Sequence, residues 1–374
     1  MRFAFDIFTL DVDRRELRAS GELRPVQPQV FDLLVYLVTH RDRVVSKNEL
    51  LETLWSDAFV TDASLQRAVS LARTALDGAK GPTIETHARR GYRFVGRIAE
   101  DRDERAPEAP PEYVETPDGY HLAYRVLGKR APDIVVLPGW SFPMEAWRTH
   151  PAPSAFVDAL AGLGRVVLFD RRGVGLSDRV RMPATLDERA RDLTTVLAKV
   201  ESKDATLLAF SEGVSLALHL AAEASARVRG LVLVGAFARM SHWTRDRVDQ
   251  LRGYTKTAWG HGATLMALFP DHADDPTLQR WAADAERRGT SPGGALQLLE
   301  MNLALDTRSL LPRVRVPAIV FHHRDDRVIA VEEGREIAGA LPNAEYVEVA
   351  GSDHSFVVDD TALVLDAVAR FAAM

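Results

Sequence analysis

Ser211 stands at the end of an apolar run and the start of a helical pattern. Ala205-Thr206-Leu207-Leu208 leads into Ala209-Phe210-Ser211-Glu212-Gly213, and Val214 to Ala221 then repeats at helical spacing. A strand, a sharp turn and a helix with serine at the apex expose a hydroxyl as a nucleophile. Small residues flank such a serine because the turn is tight. The hydroxyl needs a base to take its proton and an acid to orient the base. Both follow along the chain. The buried-strand pattern Ala318-Ile319-Val320-Phe321 feeds His322-His323-Arg324-Asp325-Asp326, with two adjacent carboxylates. Tyr346-Val347-Glu348-Val349 reads as the next strand and feeds Gly351-Ser352-Asp353-His354. Serine, an acid and a histidine at strand ends are the residue types of acyl transfer. His322 and His323 are read as strand-end packing or pocket lining. No cluster of ligand residues has zinc spacing, so no metal and no cofactor is expected.

The elements around these residues resemble the α/β-hydrolase family. Ala209 replaces the first Gly of the usual G-x-S-x-G. In the family's acid loop the catalytic Asp lies four residues before a Pro. Ala330 takes that place, so the resemblance selects Asp326 over Asp325, and it matches His354 to the last-loop histidine. Asp133-Ile134-Val135-Val136-Leu137 reads as a strand followed by Pro138-Gly139-Trp140. The family usually has His-Gly-x there, and the backbone N–H of x helps form the oxyanion hole. The resemblance therefore implies an oxyanion hole from the N–H groups of Trp140 and Glu212. Asp170-Arg171-Arg172-Gly173-Val174-Gly175-Leu176-Ser177 resembles the family's D-x-R-G-x-G-x-S segment. The resemblance covers about residues 112 to 374.

Composition bounds the rest. A chain of 374 residues with 46% apolar content has room for two or three domains. No apolar run approaches the roughly 18 residues that span a bilayer. Met1-Arg2-Phe3-Ala4-Phe5-Asp6 meets an acid before any apolar leader forms, and cysteine is absent. A soluble cytoplasmic protein without membrane contact is expected. The formal charge of −6 is uneven: residues 1–100 carry 15 basic and 14 acidic residues, and the acidic excess lies beyond them. Asp101 to Glu112 is charged, Pro-rich and poor in large apolar residues, as a linker is.

The first hundred residues open with strand-like alternation of Phe3, Phe5, Ile7 (or Phe8) and Leu10. Val30 to Leu37 reads as a helix. Ser46 suits an N-cap before a second helix, with Glu49 at the capping-box position. A third helix runs from about Thr61-Asp62 to Leu76, with Leu65, Val69, Ala72 and Leu76 on its core face. Its other face carries Gln66, Arg67, Ser70, Arg73 and Thr74. Thr83 to Val95 reads as a hairpin with a basic tip. Val44-Val45-Ser46, Leu54-Trp55, Ile84-Glu85-Thr86 and Arg90-Gly91-Tyr92-Arg93-Phe94 resemble the winged-helix DNA-binding domain of the OmpR/PhoB type. Ala72-Arg73 stands where that family usually has Leu-Arg.

That resemblance implies double-stranded DNA as a partner. A helix about 10–12 Å across fits a major groove about 12 Å wide. Gln66 and Arg67 are candidates for base edges, with Ser70 and Thr74 on the same face. Arg73, His87, Arg89, Arg90 and Arg93 are candidates for phosphate. The near-neutral charge of this part implies modest affinity per protomer, so a homodimer or tandem sites would be needed.

The expected architecture is α/β: a winged helix (α+β) over 1–98, a linker over 99–112, and an α/β-hydrolase domain with a mostly parallel sheet over 113–374. A helical lid is expected at about 236–308, where Trp243, Trp259, Met266, Phe269, Trp281 and Met301 are found. The only candidate input module for the winged helix is the hydrolase-like domain. The expected function is a transcriptional regulator whose hydrolase domain senses, and cleaves, a small ester- or lactone-like ligand. Two other readings stay open: an esterase that uses the winged helix only for docking, and a non-catalytic receptor that controls DNA binding.

Overall fold

The computed structural model describes residues 2–12, 15–20, 22–55, 62–79, 81–88, 90–96, 98–99, 110–240 and 242–374. Its contacts divide the chain into two units, Met1–Ala109 and Pro110–Met374.

The first unit contains β1 (Arg2–Phe5), β2 (Phe8–Asp11), β3 (Glu16–Ala19), β4 (Glu22–Arg24), α1 (Pro28–Thr39), β5 (Val45–Ser46), α2 (Lys47–Leu54), α3 (Asp62–Ala75), β6 (Ile84–His87), β7 (Gly91–Phe94) and β8 (Ile98–Ala99). One sheet has the order β4-β3-β2-β1-β8, and β5-β7-β6 forms a second. Phe5 pairs with Phe8 across a two-residue turn, with Asp6 at φ 51°. The turn restarts the alternation, so Phe5, Phe8 and Leu10 are buried and Ile7 lies at the surface. Ser46 caps α2 by accepting a hydrogen bond from Glu49 N at 3.2 Å. The return half of the capping box does not form, because Arg43 and Tyr36 hold the Glu49 carboxylate. Leu65, Val69, Ala72 and Leu76 are buried, and Ala68 joins them. Together with Leu33, Leu34 and Phe94 they form this unit's core.

The second unit contains β9 (Glu112–Glu115), β10 (His121–Leu127), β11 (Asp133–Leu137), α4 (Pro151–Leu163), β12 (Arg165–Phe169), α5 (Leu186–Lys199), β13 (Ala205–Phe210), α6 (Gly213–Glu223), β14 (Val228–Val234), α7 (Arg245–Ala258), α8 (Ala263–Met266), α9 (Pro276–Gly289), α10 (Pro292–Ala304), β15 (Ala318–His323), α11 (Val331–Ala340), β16 (Ala344–Val349) and α12 (Thr361–Ala372). Its sheet has the order β16-β15-β14-β13-β11-β12-β10-β9. The six strands from β16 to β12 pair in parallel, and β10 and β9 close one edge antiparallel. This is the mostly parallel α/β-hydrolase sheet expected from the resemblance.

Every residue of β13 is buried. A parallel strand covered on both faces is apolar throughout, which explains the unbroken run before Ser211. α5, α6 and α11 pack on one face of the sheet, and α4, α12 and α9 on the other. The helices α7 to α10 occupy the interval between β14 and β15. Among the described residues no helix is long and apolar enough to cross a membrane.

Candidate active site

Ser211 sits between β13 and α6 with φ 52°, in the left-handed region. A non-glycine residue there is strained, and surrounding contacts must hold it. Ser211 N donates to Val234 O at 2.9 Å. A Cβ on Gly213 would lie 2.2 Å from Leu137 O, so glycine is required for α6 to start this close to β11. A Cβ on Gly139 would lie 2.8 Å from Ser211 Cβ. Ala209, in place of the first glycine of the motif, is accommodated fully buried.

Asp326 and His354 meet: His354 Nδ1 lies 2.7 Å from Asp326 Oδ2. The other carboxylate oxygen accepts from Val328 N at 2.7 Å and Ile329 N at 3.0 Å. His322 is fully buried beneath this pair, its Nε2 3.2 Å from Asp326 Oδ2 and 3.0 Å from Ile329 O. Burial alone would raise the Asp326 carboxyl. The neighbouring His354 and His322 and their hydrogen bonds outweigh it and hold the group well below the usual carboxylate range. Asp325 is exposed.

His354 Nε2 is buried and has no partner among the described residues. Ser211, His354 and Trp140 share the wall of one cavity of about 60 Å³. Gly235 makes room for the imidazole: with φ 58°, a Cβ there would lie 2.5 Å from His354 Cε1. Nothing in the sequence singled out Gly235, because it lies 119 positions from the histidine it accommodates.

Trp140 follows β11 with φ 52°, and Glu212 is the N-cap of α6. Among the described residues neither backbone N–H meets a protein acceptor. The Glu212 side chain turns away into the core, where Arg171 and Arg189 contact its carboxylate. A larger cavity of about 320 Å³ opens on Ser211. Its walls include Trp140, Phe237, Trp243, Leu251 and Leu299, with Arg247 and Asn302 among the few polar groups. Cavities of this size and polarity suit small organic ligands. Trp281 instead packs in the core and donates to Ala146 O at 2.9 Å. Trp259 donates to Thr290 O at 2.9 Å.

The D-x-R-G-x-G-x-S segment braces the neighbouring loops. Asp170 accepts from Met144 N at 2.7 Å and Leu176 N at 2.8 Å. Ser177 Oγ accepts from Ala123 N at 2.9 Å. Arg172 binds Asp192 and Asp118. His323 stacks on Phe356 with ring centroids 3.9 Å apart, and His322 serves Asp326. Among the described residues no group of three or more His, Cys, Asp or Glu could hold a metal ion.

In the first unit Gln66, Arg67, Ser70, Arg73 and Thr74 all lie on the exposed face of α3. Arg73 also bridges elements within this unit, since its guanidinium donates to Ile84 O at 2.8 Å and Thr86 Oγ1 at 2.8 Å. Arg93 Nε donates to Arg41 O at 3.0 Å. His87 lies 3.7 Å from Glu85. Arg90 is exposed beside the β6–β7 turn, and Arg89 lies outside the described residues. A Cβ on Gly91 would lie 1.9 Å from Val45 O, which binds β7 closely to β5.

Residues 133–361 match the family described as alpha/beta hydrolase fold, and residues 21–94 match the transcriptional regulatory protein, C terminal, family. A protein of Azorhizobium caulinodans named as a candidate carbamate hydrolase, RutD, is 29% identical over 250 residues, covering 63% of this chain and 88% of that protein. The transcriptional regulator HilA of Salmonella typhi is 36% identical over 94 residues, covering 25% of this chain and 17% of that protein. The enol-lactonase of Burkholderia xenovorans LB400 superposes with a TM-score of 0.60 at 24% identity, covering 70% of this chain and all of that one.

Proposed function

The chain belongs to the alpha/beta hydrolase fold family and carries a DNA-binding regulatory domain at residues 21–94, and from this pairing we propose a transcriptional regulator whose hydrolase domain binds and cleaves a small ester- or lactone-like effector. The observation that carries this reading is the buried His354, 2.7 Å from Asp326 on one nitrogen and unpartnered on the other among the described residues, on a cavity wall shared with Ser211. The boundaries are 1–98 for DNA binding, 99–112 for the linker and 113–374 for the hydrolase, with 236–308 as a lid. The site of action is the cytoplasm, where the DNA partner lies. A homodimer would compensate for the near-neutral charge of the DNA-binding part.

In this mechanism His354 Nε2 takes the proton of Ser211 as Oγ attacks the acyl carbon. Asp326 keeps Nδ1 protonated and stabilises the imidazolium. The N–H groups of Trp140 and Glu212 stabilise the tetrahedral oxyanion, an effect worth about 3–4 kcal/mol per donor. The intermediate collapses, the imidazolium protonates the departing alkoxide, and an acyl-serine remains. Water, deprotonated by His354, then attacks the acyl carbon. The free acid leaves and Ser211 regains its proton. The apolar cavity wall favours a partly apolar acyl or alcohol group.

Fluorophosphonate labelling tests this directly. The wild type should be labelled at Ser211 and should hydrolyse short-chain aryl esters. Ser211→Ala and His354→Ala should each abolish most turnover and should not combine additively, because the residues act as a unit. An unlabelled, inactive wild type would leave the non-catalytic receptor as the better reading.

A further inference from the structure

The larger cavity that opens on Ser211 is mostly apolar, yet it holds a charge. Among the described residues that line it, Arg247 is the one cation and none is a carboxylate. Arg247 is half-buried on α7, and its guanidinium lies 4.4 Å from the centre of the Trp243 ring. Its Nη2 donates to Arg327 O, and Trp243 Nε1 donates to Val328 O at 2.8 Å. Both acceptors belong to the loop that carries Asp326. The guanidinium is therefore fixed in place, and a guanidinium has five N–H donors to offer.

The acids around it are engaged elsewhere. The Asp326 oxygens are taken by His354, His322, Val328 N and Ile329 N. Asp249 and Glu300 both bind Arg252. Glu286 accepts from the N–H groups of Gly260, Gly262 and Thr264. Glu333 faces His242 at 3.5 Å. Asp246 precedes Arg247 on α7, and adjacent helical residues do not face each other. Burial pushes the Arg247 guanidinium down, and the attraction of Asp326 offsets only part of that. A neutral ligand filling this cavity would strip water from the charge and return nothing. A carboxylate would replace that water with charge-assisted hydrogen bonds in the fork geometry of arginine. Asn302, on the same wall, is 5% exposed, and its Oδ1 has no partner among the described residues. A buried amide in that state calls for a polar ligand atom.

We propose that the ester or lactone cleaved here carries a carboxylate, separated from the reacting carbonyl by a mostly apolar body, and that Arg247 receives it. This rests on the reading of the cavity as the effector site. Arg247 then determines which ester is bound, while Ser211, His354 and Asp326 carry the chemistry.

The test uses the full-length protein and matched esters. Para-nitrophenyl hexanoate is compared with the para-nitrophenyl hemiester of adipate, which places a carboxylate on the acyl side. Meta-tolyl acetate is compared with meta-acetoxybenzoate, which places it on the alcohol side. The wild type should favour the anionic member of at least one pair by about 10- to 100-fold in kcat/KM, the size of a hydrogen bond to a charged group. The preference should lie mainly in KM. Arg247→Met should level that ratio, and Arg247→Lys should recover part of it. If Arg247 only braced the Asp326 loop, the Met variant would slow both members equally and keep the ratio, which overturns the proposal. Equal kcat/KM within both wild-type pairs overturns it as well, even if the Met variant does not fold. A wild type that turns over none of these esters would sink the catalytic reading alone. Calorimetry with Ser211→Ala and the same pairs then decides: tighter binding of an anionic member, lost on adding Arg247→Met, supports the proposal, and equal binding overturns it.

Discussion

Asp170 shows two opposing effects on one carboxyl. Its two backbone donors favour the ionised form, yet it is 1% exposed and burial prevails, lifting the group to about 6. A carboxyl raised in the folded state binds its proton more tightly there. Its contribution to stability is complete below the ordinary value of 3.8 and is lost as pH rises through about 6. The span is worth about 3 kcal/mol at 1.36 kcal/mol per unit. The urea midpoint of the hydrolase unit should therefore fall between about pH 4 and 6.5 in the wild type. Asp170→Asn should flatten that fall. It should also lower stability at every pH, because one of the two donors would then face an amide N–H. An unchanged slope in the variant would show that another group titrates. Gly175 belongs to the same device: its φ is 56°, and a Cβ there would lie 2.0 Å from Asp170 Oδ2.

At the scale of elements, the proposed function has α3 and the β6–β7 hairpin divide DNA recognition between them. Arg90 is exposed beside the hairpin turn, and Arg67 lies on the open face of α3. Removing a phosphate contact weakens binding to every sequence and flattens the salt dependence. Arg90→Ala should therefore lower the salt slope by about one unit. Arg67→Ala should instead relax discrimination at one base pair, costing about 1–3 kcal/mol if it reads guanine. Fluorescence anisotropy with a salt series and a set of point-substituted sites separates the two. Equal binding by the wild type and Arg90→Ala would refute the phosphate assignment. Arg73 is a poor probe of phosphate contact, because its guanidinium also ties α3 to β6.

The whole molecule joins a DNA-binding regulatory domain to a hydrolase-fold domain within a single chain, and the proposed function has the second bind a ligand. Coupling requires the ligand to bind the DNA-competent and the other state unequally. A typical coupling of about 1–3 kcal/mol appears as a 5- to 150-fold change in operator affinity. Linkage then requires operator DNA to shift ligand affinity by the same factor. Ser211→Ala keeps the cavity and stops consumption of the ligand, so both titrations can reach equilibrium. The expected result is a matched pair of shifts. Identical curves in both titrations, for a ligand shown to occupy the cavity, would reduce the winged helix to a docking module.

Periodicity and chain order are local properties, and the sequence by itself determined what depends on them. The unbroken apolar run of β13 follows from burial on both faces, and the inward stripe of α3 from helical spacing. The order of Ser211, the acidic pair and His354 was legible for the same reason. Contacts between distant residues depend on strand register and loop path, and only the tertiary structure decided those. The resemblance already selected Asp326 over Asp325, and the fold adds the 2.7 Å contact with His354 and the exposure of Asp325. The turn at Asp6-Ile7 decided that Phe8, and not Ile7, continues the core alternation. Arg43 and Tyr36 drew Glu49 away from its capping box. Gly235 beside His354, and the two arginines around Glu212, carry no sequence signature, because each is defined by a neighbour that only the folded sheet brings near.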